Sequence, residues 1–240
     1  MRVDGRRTDE LRPVTIVPNY TTYAEGSTLI TMGNTRVLCT ATVEEGIPRW
    51  MQAQGKSGGW ITGEYAMLPR STAKRTPRES FGLGGRTHEI RRLIGRSLRA
   101  AVDMQSLGAR TITIDCDVLQ ADGGTRTAAI TGGFTALALA LQKLVQSGAV
   151  PAHIIISPVA AVSVGIVDGI HCLDLCYEED SQAELDANIV MNSFGEYIEV
   201  QCTAEQQPFT RSNLDALLNL AYKGIGQLLA IQKSVLEKAG

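Results

Sequence analysis

A Gly-Gly-Thr-Arg sequence lies where a strand-like segment leads into a helix-like one, and its residue types suit a phosphate site. Residues 111–119 alternate polar and apolar, as in a half-buried strand, and the chain after Arg126 is apolar and alanine-rich. The first turn of a helix offers unpaired amides, which Gly123 and Gly124 leave open to an anion. We predict Thr125 as the N-cap and Arg126 as a fixed positive charge. A tight turn with a solvated arginine explains the same residues equally well.

A second arginine, Arg86, has a similar setting. It follows Gly84 and Gly85 and precedes an amphipathic helix, which the apolar spacing predicts from Thr87 to Ser106. Its guanidinium is therefore expected beside another set of free helix amides. We predict that Arg86 is the second phosphate ligand.

The predicted helix also carries three arginines at a spacing of four and three residues, which places them on one face: Arg92, Arg96 and Arg99. These side chains are candidate contacts for RNA. A solvated, salt-bridged surface with Glu89 as a partner explains the face as well, and so does a subunit interface, where arginine is enriched. The spacing alone leaves the three alternatives open.

Positive charge is concentrated in this part of the chain. Residues 70–99 hold nine Lys or Arg and two Glu, although the whole chain has a net charge of −2. Residues 46–86 are predicted to be a long loop, and they include three arginines that suit RNA: Arg70, Arg75 and Arg78. The few aromatic residues nearby favour contacts to the phosphate backbone over base stacking. A solvated loop without a ligand is the alternative.

Residues 174–186 form an acidic segment with six Asp or Glu and no Lys or Arg. A helical turn or tight loop over 180–186 would bring Asp180 and Asp186 together. Two converging carboxylates can bind Mg²⁺ through oxygen, or raise a pKa so that one of them serves as an acid. A solvated acidic loop is the alternative, and the segment alone favours it.

Size and composition are those of a soluble globular protein. The chain has 240 residues, of which 44% are hydrophobic and 20% are charged. No segment has the length of a membrane span, and the N-terminal residues lack the apolar core of a signal peptide, so we expect a cytoplasmic protein without membrane contact. The five cysteines fall in strand-like segments, where we expect them to fill the core in a reducing compartment.

Turn signals divide the chain into strands and helices. Hairpins are predicted around three turns: Gly33-Asn34, Asp168-Gly169 and Phe194-Gly195. A long helix is predicted from Arg211, with Thr210 as its N-cap. Strands followed by helices, twice over, predict the α+β class. We expect a single domain over residues 1–240, built from two similar halves at about 1–150 and 151–240.

Six blocks of sequence resemble the ribonuclease PH family, and together they extend over nearly the whole chain. The blocks are GNTRVLCTATVEEGIPR (33–49), GEYAMLPRST (63–72), GRTHEIRRLIGRSLRAAVD (85–103), DCDVLQADGGTRTAAITGG (115–133), YEEDSQAELDANIVM (177–191) and EVQCTAEQQPFT (199–210). Several blocks are specific in themselves, and their shared order makes a chance match implausible.

The resemblance implies a fold and an activity. The family has a duplicated βαβ-type α+β unit, with mixed sheets packed against helices. It trims the 3′ end of tRNA precursors by phosphorolysis, with inorganic phosphate as the nucleophile and nucleoside diphosphates as products, and the reaction is reversible. By that resemblance, Arg86 and the turn Gly124-Thr125-Arg126 bind phosphate, and Arg126 is also catalytic.

The resemblance also assigns roles to the acidic and basic segments. Asp180 and Asp186 are implied to be catalytic or to bind Mg²⁺, and the choice between general acid and metal ligand stays open for Asp180. The arginine-rich loop after residue 69 is implied to hold the body of the tRNA. The family assembles as a homohexamer, a trimer of dimers.

Two other interpretations compete with this one. A non-catalytic RNA-binding ring subunit is expected to lack Asp180, Asp186 or Arg126, and this chain has all three. One repeat of polynucleotide phosphorylase is a closer alternative. That protein has two such units and RNA-binding modules, for which 240 residues leave no room.

Overall fold

The computed structural model describes residues 2–79, 82–205 and 207–239, which form two β-sheets and the helices that pack on them. The strands are β1 Val14–Pro18, β2 Gly26–Met32, β3 Thr35–Glu45, β4 Trp60–Met67, β5 Arg110–Gln120, β6 Val159–Val167, β7 Ile170–Leu173, β8 Leu185–Asn192 and β9 Tyr197–Ala204. The helices are α1 Arg49–Ala53, α2 Gly85–Arg99, α3 Thr125–Gln146, α4 Tyr177–Asp180 and α5 Arg211–Ala239.

The first sheet has five strands in the order β1-β2-β3-β5-β4. The predicted hairpin at Gly33-Asn34 is confirmed, since β2 and β3 pair antiparallel on either side of it. Strand β5 pairs antiparallel with β3 and parallel with β4, so the sheet is mixed. As a result, β5 is an interior strand, and its pairing with β3 and β4 positions the turn that follows it.

The second sheet has four antiparallel strands in the order β7-β6-β8-β9. The predicted Asp168-Gly169 hairpin is confirmed: both residues have positive φ, 50° and 72°, as the tight turn between β6 and β7 requires. Strands β8 and β9 flank the third predicted turn, at Phe194-Gly195. The α+β class, with two sheets and packed helices, is confirmed.

Helix α3 packs against β2, β3 and β5 of the first sheet and against β6 of the second. It is buried almost all round, from Thr125 to Leu141, because small residues dominate its sequence and allow close approach on every side. The prediction that no segment has the length of a membrane span was wrong for this helix, whose length and hydropathy would suit one, but most of its apolar stretch is buried inside the protein. The helix is therefore part of the core, and it packs against strands of both sheets.

The sequence prediction for residues 46–86 was wrong in part. They contain helix α1 and the regular strand β4, in which Ile61, Gly63 and Tyr65 alternate as buried residues. In the sequence, Gly63 interrupts the alternation of apolar residues that would have indicated a strand. A Cβ at Gly63 would lie 2.6 Å from Ile94 Cγ2, so a glycine is required where α2 packs on β4.

Two helix boundaries also differ from the sequence prediction. The helix expected from Thr87 to Ser106 ends at Arg99, because the chain turns away and Val102 forms a bridge with Ile155. Cys176, predicted in a strand, is instead the N-cap of α4. At the last helix the prediction is confirmed, since the Asn213 amide donates to Thr210 Oγ1 at 3.2 Å.

Candidate active site

All six residues that the sequence assigned to phosphate and carboxylate chemistry line one open cleft of about 750 Å³: Arg86, Gly124, Thr125, Arg126, Asp180 and Asp186. They come from four places in the fold, which are the start of α2, the turn between β5 and α3, the end of α4 and the start of β8. The cleft therefore lies between elements of both sheets. Arg86 and Arg126 belong to elements of the first half of the chain, and Asp180 and Asp186 to elements of the second.

The turn between β5 and α3 has the conformation that its glycines predicted. Gly123 and Gly124 have φ angles of 72° and 63°, which residues with a side chain rarely adopt. The prediction of Thr125 as the N-cap was wrong, since Gly124 is the N-cap and Thr125 is the first helical residue. No side chain caps this end of α3, so its first amides are free to donate hydrogen bonds to an anion.

The turn also contacts the second half of the chain. A Cβ on Gly123 would lie 2.6 Å from the Leu175 carbonyl oxygen and 2.8 Å from the Tyr177 amide nitrogen. In addition, the Tyr177 amide donates to Asp122 Oδ1 at 3.2 Å. The turn predicted to bind phosphate is therefore in backbone contact with the segment that leads into α4 and Asp180.

We predict that Gly123→Ala will disrupt both the fold and the site, because its new methyl group would collide with backbone atoms that cannot move aside. Gly169→Ala is the matched control, with the same φ of 72° and nothing within 4 Å of the added Cβ. The control should lose only the cost of left-handed backbone, about 1–2 kcal/mol. Denaturant unfolding and the KM for phosphate measure the difference, and equal losses in the two variants would contradict the packing of this turn.

Thr125 is held by a buried tyrosine that the sequence analysis missed. Tyr65 on β4 shares a hydrogen bond with Thr125, with 2.8 Å between the two hydroxyl oxygens. Burial raises the pKa of Tyr65, while the bond to Thr125 and the charges of Arg86 and Arg126 oppose the rise. The hydroxyl therefore stays neutral and lies within the field of both predicted phosphate arginines.

We predict that Tyr65→Phe will raise the KM for phosphate severalfold and lower the stability by about 1 kcal/mol, the usual value of one hydrogen bond. The phenyl ring keeps the packing of β4, so the change isolates the bond to Thr125. Tyr23→Phe is the control, since Tyr23 is 98% exposed. Phosphate titrations of both variants decide the prediction, and an unchanged KM in Tyr65→Phe would contradict it.

Arg126 points across the cleft and is engaged by two polar side chains. Its Nη1 atom donates to Gln201 Oε1 at 2.7 Å and to Glu89 Oε1 at 3.2 Å. Gln201 in turn donates to Glu89 Oε1 at 2.8 Å. Glu89 therefore pairs with the predicted phosphate arginine, and its suggested pairing with the α2 arginines is not observed among the described contacts.

The two carboxylates lie close enough to influence each other. Burial raises the pKa of Asp186, and the negative charges of Asp180 and Glu205 raise it further. Burial also raises the pKa of Asp180, although this side chain is open to the cleft, and the charges of Arg126 and Arg86 oppose the rise. A carboxylate with a raised pKa can hold a proton nearer to neutral pH than an ordinary aspartate.

The carboxylate oxygens of Asp180 and Asp186 fit Mg²⁺ better than a softer metal. Asp180 and Asp186 offer only oxygen, and Mg²⁺ is commonly held by one or two carboxylates and keeps several of its waters. Within the part of the chain that the structure describes, no group of three or more His, Cys, Asp or Glu is arranged to hold an ion. A complete protein cage is thus not present among those residues, whereas a water-rich site on two carboxylates fits.

The three predicted arginines of α2 lie outside this cleft, in a neighbouring groove of about 420 Å³ that they line with Trp60 and His88. Arg96 makes a two-armed ion pair with Glu199 at 2.7 and 2.8 Å. Arg99 lies 4.2 Å from the centre of the Trp60 ring. The structure therefore does not bring this trio together with the phosphate residues, and their contact with RNA stays a prediction.

The arginines of the predicted basic loop follow β4 and are solvent-exposed: Arg70, Arg75 and Arg78. Thr72 and Thr76 of the same segment line the cleft, so the loop borders the candidate site. An RNA end that entered the cleft would pass close to these charges. Their role in holding RNA remains a prediction.

Sequence reasoning missed the role of three residues that shape the site, although two of them left a signal. Glu89 lies three residues after Arg86 on α2, and so on the same face. Gln201 and Thr203 are two residues apart on β9 and so lie on the same face of the strand, and both line the cleft. Tyr65 gave no usable signal, because its strand was not predicted.

Comparison with known proteins shows which family the chain belongs to. Residues 10–141 match the 3′ exoribonuclease family, domain 1, and residues 157–224 match the 3′ exoribonuclease family, domain 2. The chain belongs to this family of 3′ exoribonucleases.

Within the family, ribonucleases PH are among the similar relatives. The chain is 60% identical to ribonuclease PH of Moorella thermoacetica over 98% of its own length and 94% of that protein. It is 56% identical to ribonuclease PH of Corynebacterium glutamicum, over 98% of this chain and 96% of that protein. The recognised resemblance is therefore confirmed, and the chain is a phosphorolytic 3′ exoribonuclease.

Solved structures share the fold at low sequence identity. Rice (Oryza sativa) Rrp46 superimposes with a TM-score of 0.79 at 19% identity, over 98% of this chain and 100% of that one. An Archaeoglobus fulgidus exosome with RNA bound to the active site gives a TM-score of 0.80 at 23% identity, over 95% and 91% of the two chains. At this identity the comparison supports the two-sheet architecture alone.

Proposed function

We propose that the cleft performs the reaction of the family at its own residues. Orthophosphate bound at the β5–α3 turn attacks the last phosphodiester of an RNA, the bond to the 3′ oxygen of the penultimate nucleotide breaks, and a nucleoside diphosphate leaves. The observation that carries the proposal is that all six predicted phosphate and carboxylate residues line one cleft. The preferred RNA is the 3′ end of a tRNA precursor, as in the ribonucleases PH that this chain resembles.

Phosphate binding follows from charge and from geometry. Arg86 and Arg126 supply two positive charges, and the first amides of α3 supply donors that no side chain occupies. Repulsion between orthophosphate and the RNA phosphodiester opposes the attack, and these groups would offset it while aligning the nucleophile. Glu89 and Gln201 keep Arg126 directed into the cleft, so little reorganisation is needed when phosphate binds.

We propose that the two carboxylates of the same cleft serve the leaving oxygen. The 3′ oxygen of the shortened RNA needs a proton, and Asp180 has the raised pKa that favours a protonated carboxyl. We propose Asp180 as the donor of that proton. Asp186, together with Asp180 once Asp180 has given up its proton, would hold Mg²⁺. When bound, Mg²⁺ supplies positive charge that stabilises negative oxygens.

The finer features of the protein belong to the same proposal. We propose that the exposed arginines of residues 70–79 hold the body of the tRNA, and that the α2 arginines contact RNA in the neighbouring groove. We also propose a homohexamer, a trimer of dimers, and a cytoplasmic location. Similarity to ribonuclease PH over 98% of the chain supports these features. We treat residues 1–240 as one domain of two halves for the same reason.

Phosphate titration of RNA trimming tests the proposal. With a tRNA precursor, we expect nucleoside diphosphates whose rate of release rises with phosphate and vanishes without it. The shortened RNA and a nucleoside diphosphate should also react backwards and extend the 3′ end. Nucleoside monophosphates released without phosphate would contradict the proposal. RNA binding without any product would favour the non-catalytic ring subunit.

A further inference from the structure

A buried ion pair lies beneath the phosphate turn, and no part of the chemistry above uses it. The Arg12 guanidinium, just before β1, donates to the Asp174 carboxylate, just after β7, at 2.7 and 3.0 Å. Arg12 is 4% exposed and Asp174 is 0% exposed. The pair therefore joins a segment leading into the first sheet to a segment leaving the second.

The same guanidinium reaches the phosphate turn itself. Its Nη1 atom donates to the carbonyl oxygen of Asp122, the residue before the two turn glycines. A Cβ on Gly124 would lie 3.0 Å from its Nη2 atom, so the guanidinium packs directly under the turn. Burial alone would lower the pKa of Arg12, but the Asp174 carboxylate raises it, and the side chain stays charged.

Asp174 is held in an unusual conformation. Its φ angle is 54°, in the left-handed region that few residues other than glycine occupy. Its Oδ2 atom also accepts the Arg12 backbone amide at 2.8 Å. Backbone strain of this kind persists only where surrounding contacts fix it, and it is frequent near functional sites.

A second ion pair continues from this point to Asp180. Arg2 donates to both oxygens of Glu179, at 2.7 and 2.6 Å, and also to the Asp174 carbonyl oxygen at 3.0 Å. Glu179 is the residue before Asp180 and accepts the Cys176 amide at 3.1 Å, which fixes the short helix α4. The network therefore runs from under the phosphate turn to the neighbour of the carboxylate.

We propose that Arg12 is a positioning residue that sets the phosphate turn against the segment carrying Asp180. The inference rests on the proposed function of the cleft and adds to it a buried residue that never touches substrate. Phosphate is bound by one half of the chain, and Asp180 belongs to the other. A guanidinium with one arm on Asp174 and another on Asp122 fixes their separation in a way that a point charge cannot.

The test compares Arg12→Lys and Arg12→Met with Arg110→Lys. A lysine can still pair with Asp174 but cannot hold the Asp122 carbonyl at the same time, and methionine keeps only the bulk. Arg110 is a matched control, because its guanidinium also joins a carboxylate, Glu45 at 3.0 Å, to a carbonyl, that of Leu107 at 3.0 Å. It lies at the opposite end of β5 from the turn.

Arg12→Lys should raise the KM for phosphate about 10-fold and Arg12→Met about 100-fold, as expected when a ligand group is displaced by about an ångström. Arg110→Lys should leave it within twofold. The KM separates positioning from stability, because partial unfolding lowers the number of active molecules and leaves the KM unchanged. An Arg12→Lys variant that folds and keeps the parental phosphate KM would overturn the proposal, and so would one that fails to fold. The dependence of RNA trimming on phosphate, measured on the parent enzyme in the same experiment, tests the proposed function separately.

Discussion

Arg126→Ala is expected to lower phosphate-dependent turnover by roughly 10²- to 10³-fold, the usual effect of removing one pre-positioned charge donor. The guanidinium is 15% exposed and held by Gln201 and Glu89, so it faces the cleft in a fixed direction before phosphate arrives. Alanine removes the charge and leaves Glu89 with Gln201 but without its cationic partner. Because the carboxylate then repels phosphate, the KM for phosphate should rise together with the fall in turnover.

Two further variants make this result specific. Arg126→Lys keeps the charge but loses the fork, and we expect it to fall between the parent and alanine. Arg211→Ala removes an arginine from the first turn of α5, where the side chain is 92% exposed, and should behave as the parent. An Arg126→Ala enzyme with the parental KM for phosphate would show that phosphate binds elsewhere.

Asp180→Asn should abolish most turnover, by roughly 10²- to 10⁴-fold, while RNA binding persists. The amide has nearly the shape of the carboxyl group but can neither deliver a proton to the leaving oxygen nor hold a cation as an anionic ligand. Glu178→Gln is the control, because it makes the same change on the same short helix at an exposed position. Single-turnover rates and RNA affinity, measured on both variants, check the prediction. Cleavage at the parental rate would place the acid elsewhere.

Stability against pH distinguishes a lost proton donor from a damaged fold. Burial raises the folded-state pKa of Asp180, so ionising this group costs the folded state stability. That cost is fully present above the raised pKa and absent below the ordinary aspartate value of about 3.9. Asp180→Asn should therefore be more stable than the parent near neutral pH, and the difference should vanish in acid. A variant less stable at neutral pH would contradict this environment.

Much of the site could be predicted from the sequence because its signals are local. The strand before Gly123, the glycines and the apolar helix after Arg126 are adjacent in the chain. The spacing of apolar residues and the glycines of the turn were therefore sufficient to predict this part of the fold. The hairpin at Asp168-Gly169 was equally readable, since only a few residue types accept positive φ at both positions. Local patterns thus located both the turn and the strands around it.

The missing parts depend on contacts between residues far apart in the chain. The pairing of Arg12 with Asp174 spans 162 residues, and no periodicity reveals it. Strand β4 was missed because Gly63 breaks its pattern, and that glycine is explained only by the side chain of Ile94 packing on it. Tyr65 was lost with the strand, so the support of Thr125 could be seen only in three dimensions.

The most direct test of the phosphate site is the position of a bound phosphate analogue. Crystals soaked in arsenate, which has the shape and charge of phosphate, would show the arsenic in an anomalous difference map. We expect one strong peak within hydrogen-bonding distance of the Arg126 guanidinium and the first amides of α3, with Asp180 facing it across the cleft. A cleft that stays empty at saturating arsenate would contradict the central claim that this turn holds the nucleophile.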